Sequence, residues 1–139
     1  MINYNYECNF SLENEDTYSS WIAKVILSEN KELGEINYIF VNDEYLHKLN
    51  IEHLNHDTLT DVISFDYSVL NILHGDIFIS IDRVKENALI FNTSFTDELK
   101  RVMIHGVLHY CGYKDKTKKQ EDTMRQKEEE KLLMFHVEH

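Results

Sequence analysis

The chain has 139 residues, 42% hydrophobic and 12% aromatic, which is enough apolar material for one folded domain spanning 1–139 and argues against a disordered protein. Its formal net charge of −11 argues against broad nucleic-acid binding, because affinity for the phosphate backbone comes mainly from Lys and Arg. No apolar run is long enough to span a membrane, and the N-terminus has no secretory signal pattern. Cys8 and Cys111 are too few for a disulfide scaffold, so we expect a reducing cytoplasm.

Hydrophobic patterning predicts four strands and five helices along the chain. Alternating or β-branched runs predict strands at 2–7, 35–41, 61–67 and 76–81. Helical spacing predicts helices at 13–31, from 42 or 43 to 54, 82–91, from 97 to the glycine at 112, and 119–134. Gly34 and Gly75 are predicted to lie just before strands, and Asp82 to cap the third helix. Strands and helices do not alternate strictly, so the pattern favours an α+β fold and leaves the strand order open.

The segment HGVLHYCGYKD at 105–115 contains the residues that indicate chemistry. His105 and His109 lie four residues apart on a predicted helix, so both imidazoles face the same way and can reach one ion. Gly112 is placed where helices often end in a left-handed turn, after which Asp115 can approach the same ion. Two nitrogens and one carboxylate describe a catalytic metal site with a position open for water. The alternative is an amphipathic helix whose histidines line its polar edge.

Gly106 lies inside the predicted helix, where it costs ~1 kcal/mol relative to alanine. This cost indicates that a packed neighbour or a substrate passes close to the backbone there. In helical zinc peptidases of the HExxH kind, a glutamate at this position is the general base. Glycine cannot accept a proton, so a peptidase mechanism is disfavoured.

The same segment resembles the signature H-G-x-L-H-x-x-G-Y-x-H of the YbeY family of bacterial endoribonucleases. The matching residues are His105, Gly106, Leu108, His109, Gly112 and Tyr113. The block TDVISF at 60–65 resembles the family's T-[DN]-V-[LI]-S-F strand, and GDIFIS at 75–80 resembles its G-D-I-x-I-S strand. The three blocks occur in the family's order, and the resemblance spans about residues 36–115.

The resemblance implies a mixed four-stranded sheet flanked by helices, with a metal-binding helix near the C-terminus. It also implies a cytoplasmic, zinc-dependent endoribonuclease that processes the 3′ end of the small-subunit ribosomal RNA and takes part in ribosome quality control. One Zn²⁺ per chain would be bound by His105, His109 and Asp115.

Two features depart from the family pattern. Asp115 occupies the position of the third ligand, which is usually histidine; a carboxylate still binds zinc but makes the site more tolerant of Mn²⁺ or Fe²⁺. The same ligand set occurs in non-haem iron oxygenases. The family's arginine before the 60–65 block has no counterpart in 53–57, where His53 or His56 is either a substitute or a surface residue. We therefore assign no catalytic side chain.

Other charged residues near the motif have two interpretations each. The lysines after it form either a phosphate-attracting patch or a solvated loop: Lys114, Lys116, Lys118 and Lys119. Asp61 and Asp76 either orient a ligand histidine or make ordinary hydrogen bonds at their strands. Cys111 is expected to be a buried apolar residue.

The resulting hypothesis is metal-assisted cleavage of single-stranded RNA. The expected partners are ribosomal RNA and ribosomal particles, the chain is assumed to be monomeric, and no membrane is involved. One alternative is a metal-dependent hydrolase of another substrate, such as a peptide. Another is a non-enzymatic ribosome-assembly factor with a structural metal, which would need a fourth ligand from His136 or His139.

Overall fold

The computed structural model describes residues 1–56 and 58–136. The chain runs through four strands, five α-helices and a short 3₁₀ turn. They are β1 (Ile2–Tyr6), α1 (Glu15–Ser28), β2 (Glu32–Val41), α2 (Asp43–Leu54), β3 (Val62–Asp66), β4 (Ile72–Ser80), α3 (Ile81–Ile90), α4 (Phe95–Tyr110), α5 (Lys118–Leu133) and the 3₁₀ turn Met134–His136.

The strands form one mixed sheet in the order β1-β2-β4-β3. β1 pairs with β2 and β2 with β4 in parallel, whereas β3 pairs with β4 in antiparallel fashion. This arrangement confirms the predicted α+β class and the mixed four-stranded sheet flanked by helices. No helix among the described residues has the length and apolar character that crossing a bilayer requires.

One face of the sheet carries the main hydrophobic core. Alternate residues of a strand point to the same face, so Ile36, Tyr38 and Phe40 of β2 all point inward and are fully buried. They pack with apolar side chains of α1 and α4, among them Trp21 and Val107. The opposite face is covered by α2, whose Leu46 packs in a smaller cluster with Val41 and Ile63.

Helix α4 is attached directly to the sheet by two tyrosines. The buried Tyr38 hydroxyl of β2 donates to the carbonyl of Met103 at 2.9 Å. At the C-terminal end of α4, the Tyr110 hydroxyl contacts the carbonyls of Phe65 at 2.9 Å and Asp76 at 3.2 Å. These contacts fix the rotation and height of α4 over the strands, and therefore the direction of its polar face.

Three local predictions about element boundaries were wrong. The turn after α1 is made by Asn30, with a φ of 60°, so β2 begins at Glu32 and Gly34 lies inside it. Gly75 likewise lies inside β4, which begins at Ile72. Helix α3 begins at Ile81, so its cap is Ser80 rather than Asp82.

Candidate metal centre

His105 and His109 lie one turn apart on α4, on the face turned toward α5. Helix α4 begins where Ser94 caps it by accepting from the backbone of Asp97, and Asp97 and Glu98 place negative charge in its first turn. The two imidazole rings meet edge to face, with centroids 4.5 Å apart. Their Nε2 atoms lie 3.0 Å apart.

The turn after α4 brings Asp115 back to the histidines. Gly112 adopts a φ of 104°, a left-handed conformation that other residues rarely adopt. The Gly112 N–H donates to the His109 carbonyl at 3.0 Å, and the Tyr113 N–H donates to the Leu108 carbonyl at 3.1 Å. This pair of hydrogen bonds is the Schellman motif, so the predicted stop at Gly112 and the reversal after it both occur.

Three ligand atoms converge as a small triangle. Asp115 Oδ2 lies 3.2 Å from His105 Nε2 and 3.3 Å from His109 Nε2. Tetrahedral zinc with bonds of about 2.0–2.2 Å separates neighbouring ligand atoms by about 3.3–3.6 Å, so this donor set fits a divalent ion with little movement. His105 is 15% exposed and Asp115 40%, so the open side of the triangle faces solvent. The three residues could hold a metal ion, and that role stays a prediction.

The other ring nitrogen of each histidine contacts a protein oxygen. His109 Nδ1 lies 2.9 Å from the Tyr113 carbonyl, and His105 Nδ1 lies 2.6 Å from Glu128 Oε2. A carbonyl accepts hydrogen bonds and cannot donate them, so His109 Nδ1 carries a proton, and in the neutral tautomer this leaves the Nε2 lone pair directed at the triangle. Such contacts are how proteins orient metal-binding imidazoles.

Glu128 on α5 is nearly fully buried, and sequence reasoning missed it. Met124, Glu128 and Lys131 are the buried residues of this charged helix, and their spacing of four and three places them on one face. A glutamate at an apolar-stripe position was the signal that could have identified it.

Glu128 belongs to a larger ionic cluster centred on Arg101 of α4. The Arg101 guanidinium donates to Glu98 at 2.7 Å, to both Glu128 oxygens at 3.4 Å and to Asp61 at 3.5 Å. Burial opposes the positive charge, but the hydrogen bonds to Glu98 and the charges of Glu128 and Asp61 outweigh it and raise the pKa of Arg101.

The comparisons with known proteins agree with this architecture. The family model described as Endoribonuclease YbeY matches residues 3–136. The chain belongs to the YbeY family. A relative from Flavobacterium johnsoniae, named Endoribonuclease YbeY, is 63% identical over 138 residues and 99% of each chain. One from Christiangramia forsetii with the same name is 58% identical over 137 residues, 99% of this chain and 96% of the relative.

A solved structure shares the fold. The solution structure of TM1509 from Thermotoga maritima is 28% identical in sequence, with a TM-score of 0.71, covering 97% of this chain and 89% of the other. The resemblance to the YbeY family that the three sequence blocks indicate is therefore confirmed, and it extends well beyond 36–115.

The aspartates of the two YbeY-like strand blocks, Asp61 and Asp76, do not contact His105 or His109. Asp61 accepts from Asn87 and Arg101, and Asp76 accepts from Asn37 on the neighbouring strand. Of the two interpretations of these aspartates, the ordinary hydrogen-bonding role is therefore the one observed, and the carboxylate beside His105 comes from Glu128 of α5.

A cleft of about 420 Å³ opens beside the candidate metal centre. Of the four predicted lysines, only Lys118 lines it, and Lys118 is paired with Asp122 at 2.8 Å. Arg125 also lines the cleft and is exposed, although sequence reasoning did not select it. The cleft is therefore mixed in charge: its lining residues are Arg101, His105, Asp115, Lys118, Glu121, Asp122, Met124, Arg125 and Glu128.

The remaining candidates from the sequence lie elsewhere or outside the described residues. His53 and His56 lie at and just beyond the end of α2, which covers the sheet face opposite α4. His139 and the side chain of His136 lie outside the described part of the chain. Burial raises the pKa of the partly buried Cys111 thiol to about 11, so it stays protonated at neutral pH.

Proposed function

We propose that this protein is a metal-dependent endoribonuclease that cleaves single-stranded RNA, with one Zn²⁺ held by His105, His109 and Asp115. The triangle of ligand atoms with edges of 3.0–3.3 Å carries the metal part of the proposal. The endoribonuclease part is supported by membership of a family whose relatives are named Endoribonuclease YbeY. Because the third ligand is a carboxylate, Mn²⁺ or Fe²⁺ would also be accepted.

Some residues of the candidate centre would bind the metal, and others orient the residues that bind it. A bound zinc ion would supply Lewis acidity toward a phosphate oxygen and a water of lowered pKa. The Tyr113 carbonyl and the Glu128 carboxylate hold the Nδ1 side of each imidazole and leave both Nε2 atoms for the ion. Gly106 offers no side chain that could act as a base.

The cleft beside the centre would receive the RNA backbone. Arg125 and Lys118 on α5 supply positive charge at its wall, close to His105 and Asp115. Glu121 and Asp122 in the same wall repel phosphate, as does the rest of a chain with a net charge of −11. The enzyme would therefore bind RNA weakly outside its proper context, and recognition would depend on the ribosomal particle.

Processing of ribosomal RNA, notably at the 3′ end of the small-subunit RNA, and ribosome quality control are the roles that family membership supports. They would place the protein in the cytoplasm, acting as a monomer with a single domain over 1–139. A peptidase is not favoured, because the position of its usual glutamate base is occupied by Gly106.

Metal analysis and RNA cleavage on the same samples test the proposal. Protein purified without a nickel column should contain about one zinc per chain, and His105→Ala, His109→Ala and Asp115→Ala should lose it together with cleavage of a single-stranded RNA. The same RNA strand in a duplex should resist cleavage. Full cleavage by the metal-free protein would reject the proposed mechanism.

A further inference from the structure

Three carboxylates from three different segments converge on one guanidinium next to the candidate metal centre. Glu98 lies on α4, Glu128 lies on α5, and Asp61 immediately precedes β3. Glu98 and Glu128 are 3% and 2% exposed, so both carboxylates have little access to water. Arg101 is the cation that joins them, and buried carboxylates of this kind require such a partner.

The geometry of Arg101 fixes the direction of Glu128. Its Nε and Nη2 atoms bind Glu98 at 3.1 and 2.7 Å, which sets the plane of the guanidinium. From that plane its Nη1 atom lies 3.4 Å from both Glu128 oxygens. Glu128 Oε2 is thereby held 2.6 Å from His105 Nδ1.

All three guanidinium nitrogens of Arg101 are bonded to carboxylates, so they are not offered to an RNA phosphate. Although Arg101 lines the cleft beside the metal centre, its side chain is only 20% exposed. Its effect on the centre therefore passes through Glu128 and His105. This role depends on the planar fork of arginine, which lysine does not reproduce.

We infer that Arg101 is a positioning residue that sets the orientation of His105 toward the metal through Glu128. The inference rests on the proposed function, because it concerns how the metal would be bound. The three ligand atoms lie within 3.0–3.3 Å of one another, so a small rotation of the His105 ring opens the triangle. Loss of the direct hydrogen-bond partner of a metal-binding histidine weakens metal binding about 10–100-fold, and Arg101 acts one contact further out, so we expect the lower end of that range.

Zinc affinity of the metal-free protein, measured by competition with a chromophoric chelator, tests the inference. Arg101→Lys and Arg101→Met should each bind zinc about 10-fold more weakly than the wild type. The visible absorption spectrum of the cobalt-loaded protein should also change, because it reports the geometry of the ligands. Arg83→Lys and Arg83→Met are matched controls, since Arg83 forms a half-buried pair with Asp43 at 3.2 Å away from this centre. Both controls should keep wild-type affinity.

The outcomes separate this inference from the proposed function. If the wild type itself binds no zinc, the proposed metal centre fails. If the wild type binds zinc and both Arg101 variants bind it equally tightly with an unchanged cobalt spectrum, only the inference is overturned. Urea unfolding of the metal-free variants tests whether Arg101 has a purely structural role. In that case the variants lose stability while the folded protein keeps wild-type zinc affinity, and this result also overturns the inference. If Arg101→Met does not fold, Arg101→Lys, which keeps the charge, decides.

Discussion

Replacing Gly106 with alanine tests how closely α4 must approach the sheet to carry the two candidate metal ligands. A Cβ atom at this position would lie 2.9 Å from Cδ1 and 3.2 Å from Cγ2 of Ile77, a fully buried residue of β4. Overpacking of this kind costs about 1–3 kcal/mol, whereas alanine gains about 1 kcal/mol in helix propensity. The free energy of unfolding should therefore fall by about 0–2 kcal/mol.

A double-mutant cycle isolates the contact with Ile77. Ile77→Val removes the Cδ1 atom and alone costs about 0.5–1.5 kcal/mol. In that background Gly106→Ala should cost about 1 kcal/mol less than in the wild type, because its nearest clash is gone. Urea denaturation measures the free energy of unfolding of the metal-free wild type, both single variants and the double variant. Zinc affinity should fall in Gly106→Ala and recover in the double variant. A gain of about 1 kcal/mol in the single variant, with unchanged zinc affinity, would refute the close packing argued for here.

Three further substitutions test the neighbourhood of the centre. Asp115→His should raise the ratio of zinc to manganese affinity, because nitrogen is the softer donor; an unchanged ratio contradicts the ligand assignment. Arg125→Met should raise KM for RNA and flatten its salt dependence by about 0.7 in log–log slope, and an identical slope would remove Arg125 from the RNA path. Glu29→Gln should lower the free energy of unfolding at pH 7 by about 1.5–3 kcal/mol, because the partly buried Glu29 carboxylate accepts from Lys131 and Tyr113. Burial raises the pKa of Glu29, but these two hydrogen bonds outweigh it and lower the pKa below its ordinary value of 4.5. The stability difference between wild type and Glu29→Gln should therefore persist above pH 4.5 and disappear as the pH falls through the lowered pKa. A difference that grows on acidification would contradict this.

The convergence of His105, His109 and Asp115 could be predicted from the sequence because it depends on one helix and one turn. His105 and His109 share a face by helical spacing alone, and Gly112 marks the reversal that returns Asp115. Gly106 also predicted that a neighbour packs close to the backbone of this helix, and the structure shows that this neighbour is Ile77. These features need no knowledge of how distant segments pack.

Glu128 and Arg101 could not be identified in the same way, because their roles depend on the packing of α5 against α4. Glu128 lies 23 residues after His105, and nothing in the local pattern fixes the rotation of α5. The same limit explains why the role of Asp61 stayed open in the sequence: only the packed structure shows that its carboxylate accepts from Asn87 and Arg101. Strand order also remained open, since pairing β2 with β4 across the intervening α2 and β3 is a property of the whole sheet.

Zinc titration of the metal-stripped protein, with cleavage of a single-stranded RNA as the readout, tests the central proposal most directly. The triangle of His105, His109 and Asp115 predicts no cleavage at the start, a linear rise with added zinc and a plateau at one equivalent per chain. Full cleavage before any zinc is added, or a plateau reached only at a higher equivalence, would contradict a single catalytic ion at this site.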